Sequence, residues 1–310
     1  MNQKDHRAQP LLNLMQELLD DASLALGQYR SLITTALVQL SRNSGLYPER
    51  YGDVYEGNLG GRIVAVKMMR GCGYGRDPAM LMKAFSKEAV LWAQLSSPYV
   101  LQFYGIYAIA NPSPRLGLVS PWMKNGNLTE YLNESPRMDR LSLMTDIAFG
   151  LDYLHSFDPP VIHGDLKGPN ILITDEHRAC VADFGLCLLV QNSALQITMT
   201  SSSNAQGSLF WMAPELFNDN EDCARKNFAT DVYAFGCVCY EIFNGKPPFF
   251  DLRPCQARIS IKESRPLPRP VHPDLDDTIW TLILQCLHGD PGTRPSMDEV
   301  RQQLSLRHNR

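Results

Sequence analysis

The residues best equipped for chemistry lie in His163-Gly-Asp-Leu-Lys-Gly-Pro-Asn170, where Asp165 precedes Lys167 by two residues and Asn170 by five. Thirteen residues after Asn170 comes Asp183-Phe-Gly185, and thirty-two after Asp183 comes Glu215, closing Ala213-Pro-Glu215. Upstream, Lys67 ends the apolar run Val64-Ala-Val-Lys67, and Glu88 falls in the helical pattern that follows. Carboxylates and an amide offer oxygen, which suits a hard cation such as Mg2+ better than a sulfur or imidazole set would. The lysines add positive charge that can face anionic oxygens. Each of these motifs alone recurs by chance in unrelated chains; five of them in this order and context do not.

The ordered set resembles the protein-kinase signature from about Gly52 to the helix ending near Leu304, roughly four fifths of the chain. Phosphoryl transfer needs a nucleophile aimed at the γ-phosphate and charge placed against the transferring oxygens. The resemblance implies that Asp165 receives or orients the acceptor hydroxyl, that Lys167 neutralises the γ-phosphate, and that Asn170 and Asp183 hold Mg2+. It implies that Lys67 pairs with the α- and β-phosphates of ATP and is held by Glu88. Gly52 and Val54 would belong to the phosphate-covering loop, and Ala65 and Leu172 would sandwich the adenine. Ser120 would be the gatekeeper, Pro121 would offer its carbonyl to the adenine, and Met123 its N–H. Glu215 would pair with Arg294, and Asp231 in Asp-Val-Tyr-Ala-Phe-Gly236 would anchor the catalytic loop.

Lys167 and the segment Gly207-Ser-Leu-Phe-Trp-Met-Ala-Pro-Glu215 resemble the serine/threonine kinases of the tyrosine-kinase-like group, with Ser208 touching the catalytic Asp and Lys. His-Gly-Asp-Leu-Lys-Gly and the stretch Val119–Leu128 are similar to the expanded kinase families of basidiomycete fungi. The implied activity is transfer of the γ-phosphate of ATP to serine and threonine hydroxyls of protein substrates.

The chain also departs from that pattern. Aligned on Gly52-Asp-Val54, the first two glycine positions of the phosphate-covering loop hold Tyr47 and Glu49. Residues 41–50 show no strand alternation and include Pro48, so the first strand of the small lobe is expected to be missing, with a segment lost before Tyr51. A degenerate loop favours an alternative reading, a pseudokinase or impaired copy that serves as a binding or scaffold module. Gly164 stands where most kinases place the arginine that receives an activation-loop phosphate. The cluster Thr198, Thr200, Ser201, Ser202 and Ser203 is therefore expected to matter only modestly.

The elements that must position these residues follow from hydrophobic periodicity. Leu11, Met15, Leu18, Ala22, Leu26, Tyr29, Ile33, Leu37 and Leu40 recur at helical spacing, which predicts one or two amphipathic helices over 10–40. They are expected to pack on the following domain, with a helical partner as the alternative. Residues 51–69 switch to β-branched alternation broken by the turn signal Asn58-Leu-Gly-Gly61. A helix with Phe85, Ala89, Trp92 and Leu95 on one face follows, then strand-like segments at 100–109 and 116–120. From residue 128 onward the pattern is mainly helical. The predicted class is α+β in two lobes, with an N-terminal segment over 1–46 and a kinase domain over 47–306. Within that domain the small lobe covers about 47–120, the hinge 121–126 and the large lobe 127–306.

Composition bounds the rest. The 310 residues are 44% hydrophobic and 20% charged, with 29 basic and 33 acidic side chains and a net charge of −4. No field is evident that would recruit nucleic acid or an acidic membrane. The eight cysteines include no Cys-x-x-Cys pair and are expected to be reduced and mostly buried. Glu17, Asp20 and Asp21 break the first leucine-rich run, so no signal peptide is expected; no apolar stretch reaches spanning length, and the expected location is the cytoplasm.

Overall fold

The run Arg62–Met69 alternates, and its alternation sorts the side chains: Val64, Val66 and Met68 are buried while Ile63 is 47% exposed. The computed structural model describes residues 39–40, 47–49, 52–69, 85, 88–109, 115–134, 138–184, 188–189, 208–217 and 225–308. The chain divides into two units, one of residues up to Ser96 with Leu101–Trp122, the other of Ser97–Val100 with Met123–Arg310.

The first unit is built on an antiparallel sheet. Its strands are β1 (Gln39–Leu40), β2 (Tyr47–Glu49), β3 (Gly52–Leu59), β4 (Arg62–Met69), β5 (Gly105–Ile109) and β6 (Arg115–Pro121), in the order β1-β3-β4-β6-β5 with β2 also on β3. The β3–β4 hairpin closes with Leu59 opposite Arg62. Gly60 and Gly61 between them both have positive φ, at 58° and 89°, which a two-residue hairpin turn of matching twist requires. The Asn58 Oδ1 accepts the Gly61 N–H at 2.9 Å and holds the turn. Val64, Val66, Met68 and Val119 form the core of one sheet face, flanked by Tyr55, Leu59, Tyr104 and Tyr107. Helix α1 (88–94) carries Glu88, and the apolar face expected for it is buried at Phe85, Ala89, Trp92 and Leu95.

Two expectations are corrected here. The first strand is not missing: β2 pairs with β3 through Tyr47–Val54, Pro48–Asp53 and Glu49–Gly52, and β1 pairs with β3 through Asn58 and Gly57. Since β4 lies along one side of β3, both short segments share the other side. An edge strand tolerates a proline and needs no alternation of its own when the next strands already define the face. Gln39 and Leu40 are also strand rather than the end of the helix expected over 10–40; the rest of that segment lies outside the described residues.

The second unit is mainly helical, with α2 (Leu128–Glu134), α3 (Arg140–His155), α4 (Phe228–Asn244), α5 (Pro254–Lys262), α6 (Asp277–Cys286) and α7 (Met297–His308). Asp139 caps α3 by accepting the Ser142 N–H at 2.9 Å. Asn227 and Thr230 form a reciprocal capping box at the start of α4, and Gly245 ends that helix in the left-handed region. Every residue from Thr230 to Phe243 in α4 is buried, so this helix is the axis of the unit. Four short strands complete it: β7 (Val161–Ile162) with β10 (Leu188–Leu189), and β8 (Ile171–Ile173) with β9 (Ala179–Val181). Val100, expected to open a strand of the first unit, instead bridges Val181 of the second. The described cysteines are free thiols, with Cys180, Cys237, Cys239 and Cys286 buried and Cys255 exposed. Among the described residues no helix is long and apolar enough to cross a membrane.

Candidate active site

The turn after β7 carries His163 to Lys167, and its backbone is fixed from below by one buried carboxylate. Asp231, near the start of α4, accepts the His163 N–H at 2.7 Å and the Gly164 N–H at 2.8 Å, and meets the His155 Nε2 at 3.0 Å. Burial pushes the Asp231 carboxyl up, but the hydrogen bond from His155, the nearby His163 ring and the Gly164 N–H outweigh it and hold it below its ordinary value. Gly164 has φ 74°, a left-handed conformation that glycine adopts without the cost a side chain brings. The glycine in the usual arginine position thus fits the backbone turn that offers two consecutive N–H groups to Asp231.

His163 links this turn to the next segment. Its Nδ1 accepts the Asp165 N–H at 3.2 Å, which leaves Nε2 as the donor to the Ala182 carbonyl at 3.0 Å. Its ring also meets Phe184 edge-on, with centroids 5.9 Å apart. The Ala182 N–H in turn donates to the Asn170 carbonyl at 2.9 Å, so Asn170 and Asp183 are brought close through the backbone. Asp183 has φ 67°, a left-handed conformation uncommon outside glycine.

Four side chains converge above that frame. The Lys167 Nζ lies 2.6 Å from Asp165 Oδ2 and 3.0 Å from the Ser208 Oγ. The Ser208 hydroxyl donates to Asp165 Oδ1 at 2.7 Å, and the Asn170 Nδ2 donates to Asp165 Oδ2 at 3.0 Å and to the Asp165 carbonyl at 2.8 Å. Asp165 is therefore held as an acceptor with both oxygens aimed, beside a cation. Because Asn170 uses its Nδ2 on Asp165, its amide oxygen is the face left for a cation. That oxygen and the Asp183 carboxylate are both hard donors, a chemistry that fits Mg2+. Among the described residues no group of three or more His, Cys, Asp or Glu side chains could hold a metal by itself.

The first unit carries expected residues of its own. Lys67 on β4 places its Nζ 3.7 Å from Glu88 Oε1, with both side chains largely shielded from water. Val54 lies opposite Lys67 in the β3–β4 register, and Ala65 lies opposite Ser120 in the β4–β6 register. Ser120 is buried, and Pro121 ends β6 opposite Val64. Gly52 begins β3 opposite Glu49. Of the remaining expected nucleotide contacts, Met123 accepts the Gly126 N–H at 3.1 Å and Leu172 is the middle residue of β8, both in the second unit. Gly185 and the hydroxyl cluster over 198–203 lie outside the described residues.

Both expected supports are present, the Asp231 anchor beneath the loop and the Arg294–Glu215 pair. Arg294 makes a two-pronged ion pair with Glu215, at 2.7 and 2.8 Å, and also donates to the Ala229 and His288 carbonyls at 2.8 Å each. Other supports were not foreseen: His155 behind Asp231, and Glu241, Trp211 and Thr129 behind the loop at Gly168. His163 stood in the motif without an assigned role. For Glu241 the available signal was a charged residue inside an otherwise apolar helix.

The protein tyrosine and serine/threonine kinase family model matches residues 42–304. Human serine/threonine-protein kinase TNNI3K is 31% identical over 258 residues, covering 82% of this chain and 30% of that protein. Serine/threonine-protein kinase CTR1 of Arabidopsis thaliana is 31% identical over 263 residues, again 82% of this chain and 30% of the relative. Serine/threonine/tyrosine-protein kinase HT1 of the same plant is 33% identical over 273 residues, covering 86% of this chain and 66% of the relative. The chain thus spans about a third of the length of the first two.

Proposed function

The chain belongs to the protein tyrosine and serine/threonine kinase family, with serine/threonine kinases of the tyrosine-kinase-like group among its relatives, and on that premise we propose that it transfers the γ-phosphate of ATP to serine and threonine hydroxyls of protein substrates. The observation that carries this reading is the arrangement of Ser208 and Lys167 about Asp165. A hydroxyl already lies 2.7 Å from the Asp165 carboxylate and within 3.0 Å of the Lys167 ammonium. An acceptor hydroxyl bound in the same way would give its proton toward Asp165 while Lys167 offsets negative charge on the transferring phosphoryl oxygens.

Asn170 and Asp183 would hold Mg2+, which when bound screens the phosphate charges. Lys67, steadied by Glu88, would bind the α- and β-phosphates; Val54, Ala65, Ser120, Pro121, Met123 and Leu172 would receive the nucleoside, and Gly52 would let the backbone near the phosphates. The Asp231 clamp keeps the backbone that bears Asp165 from shifting between turnovers. Serine and threonine are favoured over tyrosine by Lys167 and by Ser208 at its side. The cytoplasm suits such a reaction, since ATP and Mg2+ are abundant there.

The second reading, a catalytically silent or impaired scaffold, is favoured by Tyr47 and Glu49 at positions where phosphate-covering loops place glycine. Radiolabelled ATP with Mg2+, offered to the protein itself and to a generic basic protein beside Asp165→Asn, separates the two. Transfer lost in the variant is expected. A folded wild-type protein that transfers nothing establishes the scaffold.

A further inference from the structure

Glu241 lies in the last two turns of α4, is wholly shielded from water, accepts hydrogen bonds from two separate segments and lies against a third. Thr129 Oγ1 of α2 donates at 2.7 Å, and Trp211 Nε1 donates at 3.0 Å from the short helical turn that follows Ser208. The Gly168 backbone N–H, in the loop between Lys167 and Asn170, lies near the same carboxylate and favours its charge. A β-carbon at Gly168 would collide with the Glu241 carboxylate and the Thr129 hydroxyl, so the carboxylate lies directly against the catalytic loop.

No step of the proposed reaction uses Glu241, and an apolar side chain would fill the same interior without a desolvation cost. Burial pushes its carboxyl up to about 7, and the hydrogen bonds from Thr129 and Trp211 with the nearby Gly168 N–H offset only part of that. On α4 the titratable neighbour is Cys237, one turn earlier, whose thiol is pushed up by burial and then by the charge of Glu241. From α2, the turn at Trp211 and the catalytic loop the facing groups are Thr129, Trp211 and Gly168, all uncharged.

We propose that Glu241 is a positioning residue, an inference that rests on the kinase reading: its ionised carboxylate pins Gly168 and Trp211 to one helix and so sets Lys167, Asn170 and Ser208 in register about Asp165. When the group is ionised, both oxygens accept, Oε1 from the Thr129 hydroxyl and Oε2 from the Trp211 N–H. When it is protonated, the Thr129 hydroxyl must turn to accept the new proton, and the bonds to the neutral carboxyl lose the strength that an ionised acceptor gives. The loop and the Ser208 segment are then held less firmly, and a small misplacement of reacting groups lowers turnover.

The test uses the full chain and two independent readouts. With 5-fluorotryptophan in place of tryptophan, the fluorine resonance of residue 211, assigned by its absence in Trp211→Phe, is followed from pH 5.5 to 8.5. Its shift is expected to titrate with a midpoint near 7, and to stop titrating in Glu241→Gln. In parallel, kcat for a peptide substrate is expected to rise about tenfold across that range in the wild type, with KM for ATP little changed. In Glu241→Gln it stays at the low plateau, and Glu241→Asp restores part of the rise. A resonance that does not titrate, or a Glu241→Gln enzyme with the wild-type pH profile, overturns the proposal. A resonance that titrates in a folded protein that transfers no phosphate refutes the kinase reading instead.

Discussion

The Ser208 hydroxyl donates a hydrogen bond to the Asp165 carboxylate at 2.7 Å, although the two residues are 43 positions apart. This bond joins the catalytic loop to the segment that ends in Ala213-Pro-Glu215, and both of its ends are expected to matter for turnover.

Asp165→Asn keeps the shape of the side chain but removes the proton acceptor. The expected loss in kcat is about 10²–10⁴-fold, the range of a general base, with nucleotide binding retained. Ser208→Ala removes one contact that orients the carboxylate and is expected to cost less, about tenfold. Steady-state kinetics on a serine peptide, with ATP binding measured separately, checks both; equal losses in the two variants would mean that Ser208 does more than orient.

Lys67 and Glu88 are 3.7 Å apart, close enough for charge attraction. Lys67→Met is expected to lower kcat/KM for ATP by about 10²–10³-fold, the usual cost of losing one oriented donor to a developing negative charge. Glu88→Gln should act more weakly and in the same direction, because it frees the lysine without removing it. A Glu88→Gln enzyme with unaltered ATP kinetics would show that the lysine needs no partner.

The sequence pointed to the candidate reacting groups better than to their supports. Asp165, Lys167, Asn170 and Asp183 fall within short local motifs, where residue type and spacing are visible along the chain. The supports come from tertiary pairing: Glu241 meets Thr129 across 112 positions and Trp211 across 30, and neither distance leaves a periodic trace. The helix of Phe85, Ala89, Trp92 and Leu95 was legible because burial follows the 3.6-residue period. The edge segment Tyr47–Glu49 was not, since it is too short for alternation and is held through the backbone of β3.

Arg294 and Glu215 form a pair whose side chains are 0% and 12% exposed, so breaking it strands a buried charge. Glu215→Gln is expected to destabilise the fold by about 3–5 kcal/mol, read as a lower denaturant midpoint. Arg294→Lys should cost nearly as much, because an ammonium cannot reproduce the two parallel bonds or the further donations to Ala229 and His288. A midpoint unchanged in Arg294→Lys would show that charge alone holds this corner.

Asp231 has a folded pKa below its unfolded value, so its ionised form adds stability above the ordinary carboxylate range, and that stability is lost as pH falls through the folded pKa. Asp231→Asn is thus expected to melt well below the wild type at pH 7. The gap should narrow as pH drops from about 5 toward 3, because the wild type is then losing what the variant never had. Melting curves by circular dichroism at several pH values measure it; a gap independent of pH would assign the clamp to shape alone.

Glu49 ends β2 opposite Gly52, and Tyr47 lies opposite Val54. The hairpin is therefore formed without glycine at either position, and the cost of the substitutions should fall on nucleotide binding rather than on folding. A carboxylate near the triphosphate repels it, and a side chain limits how closely the backbone can approach phosphate oxygens. Glu49→Gly is expected to lower KM for ATP several-fold with little change in kcat, and Tyr47→Gly/Glu49→Gly to lower it further. Both variants should melt slightly below the wild type, since glycine weakens a strand by roughly 0.5–1 kcal/mol. If the glycines leave KM for ATP where it was, the loop in this chain does not grip the phosphates, and the affinity must come from Lys67 and the metal-holding pair.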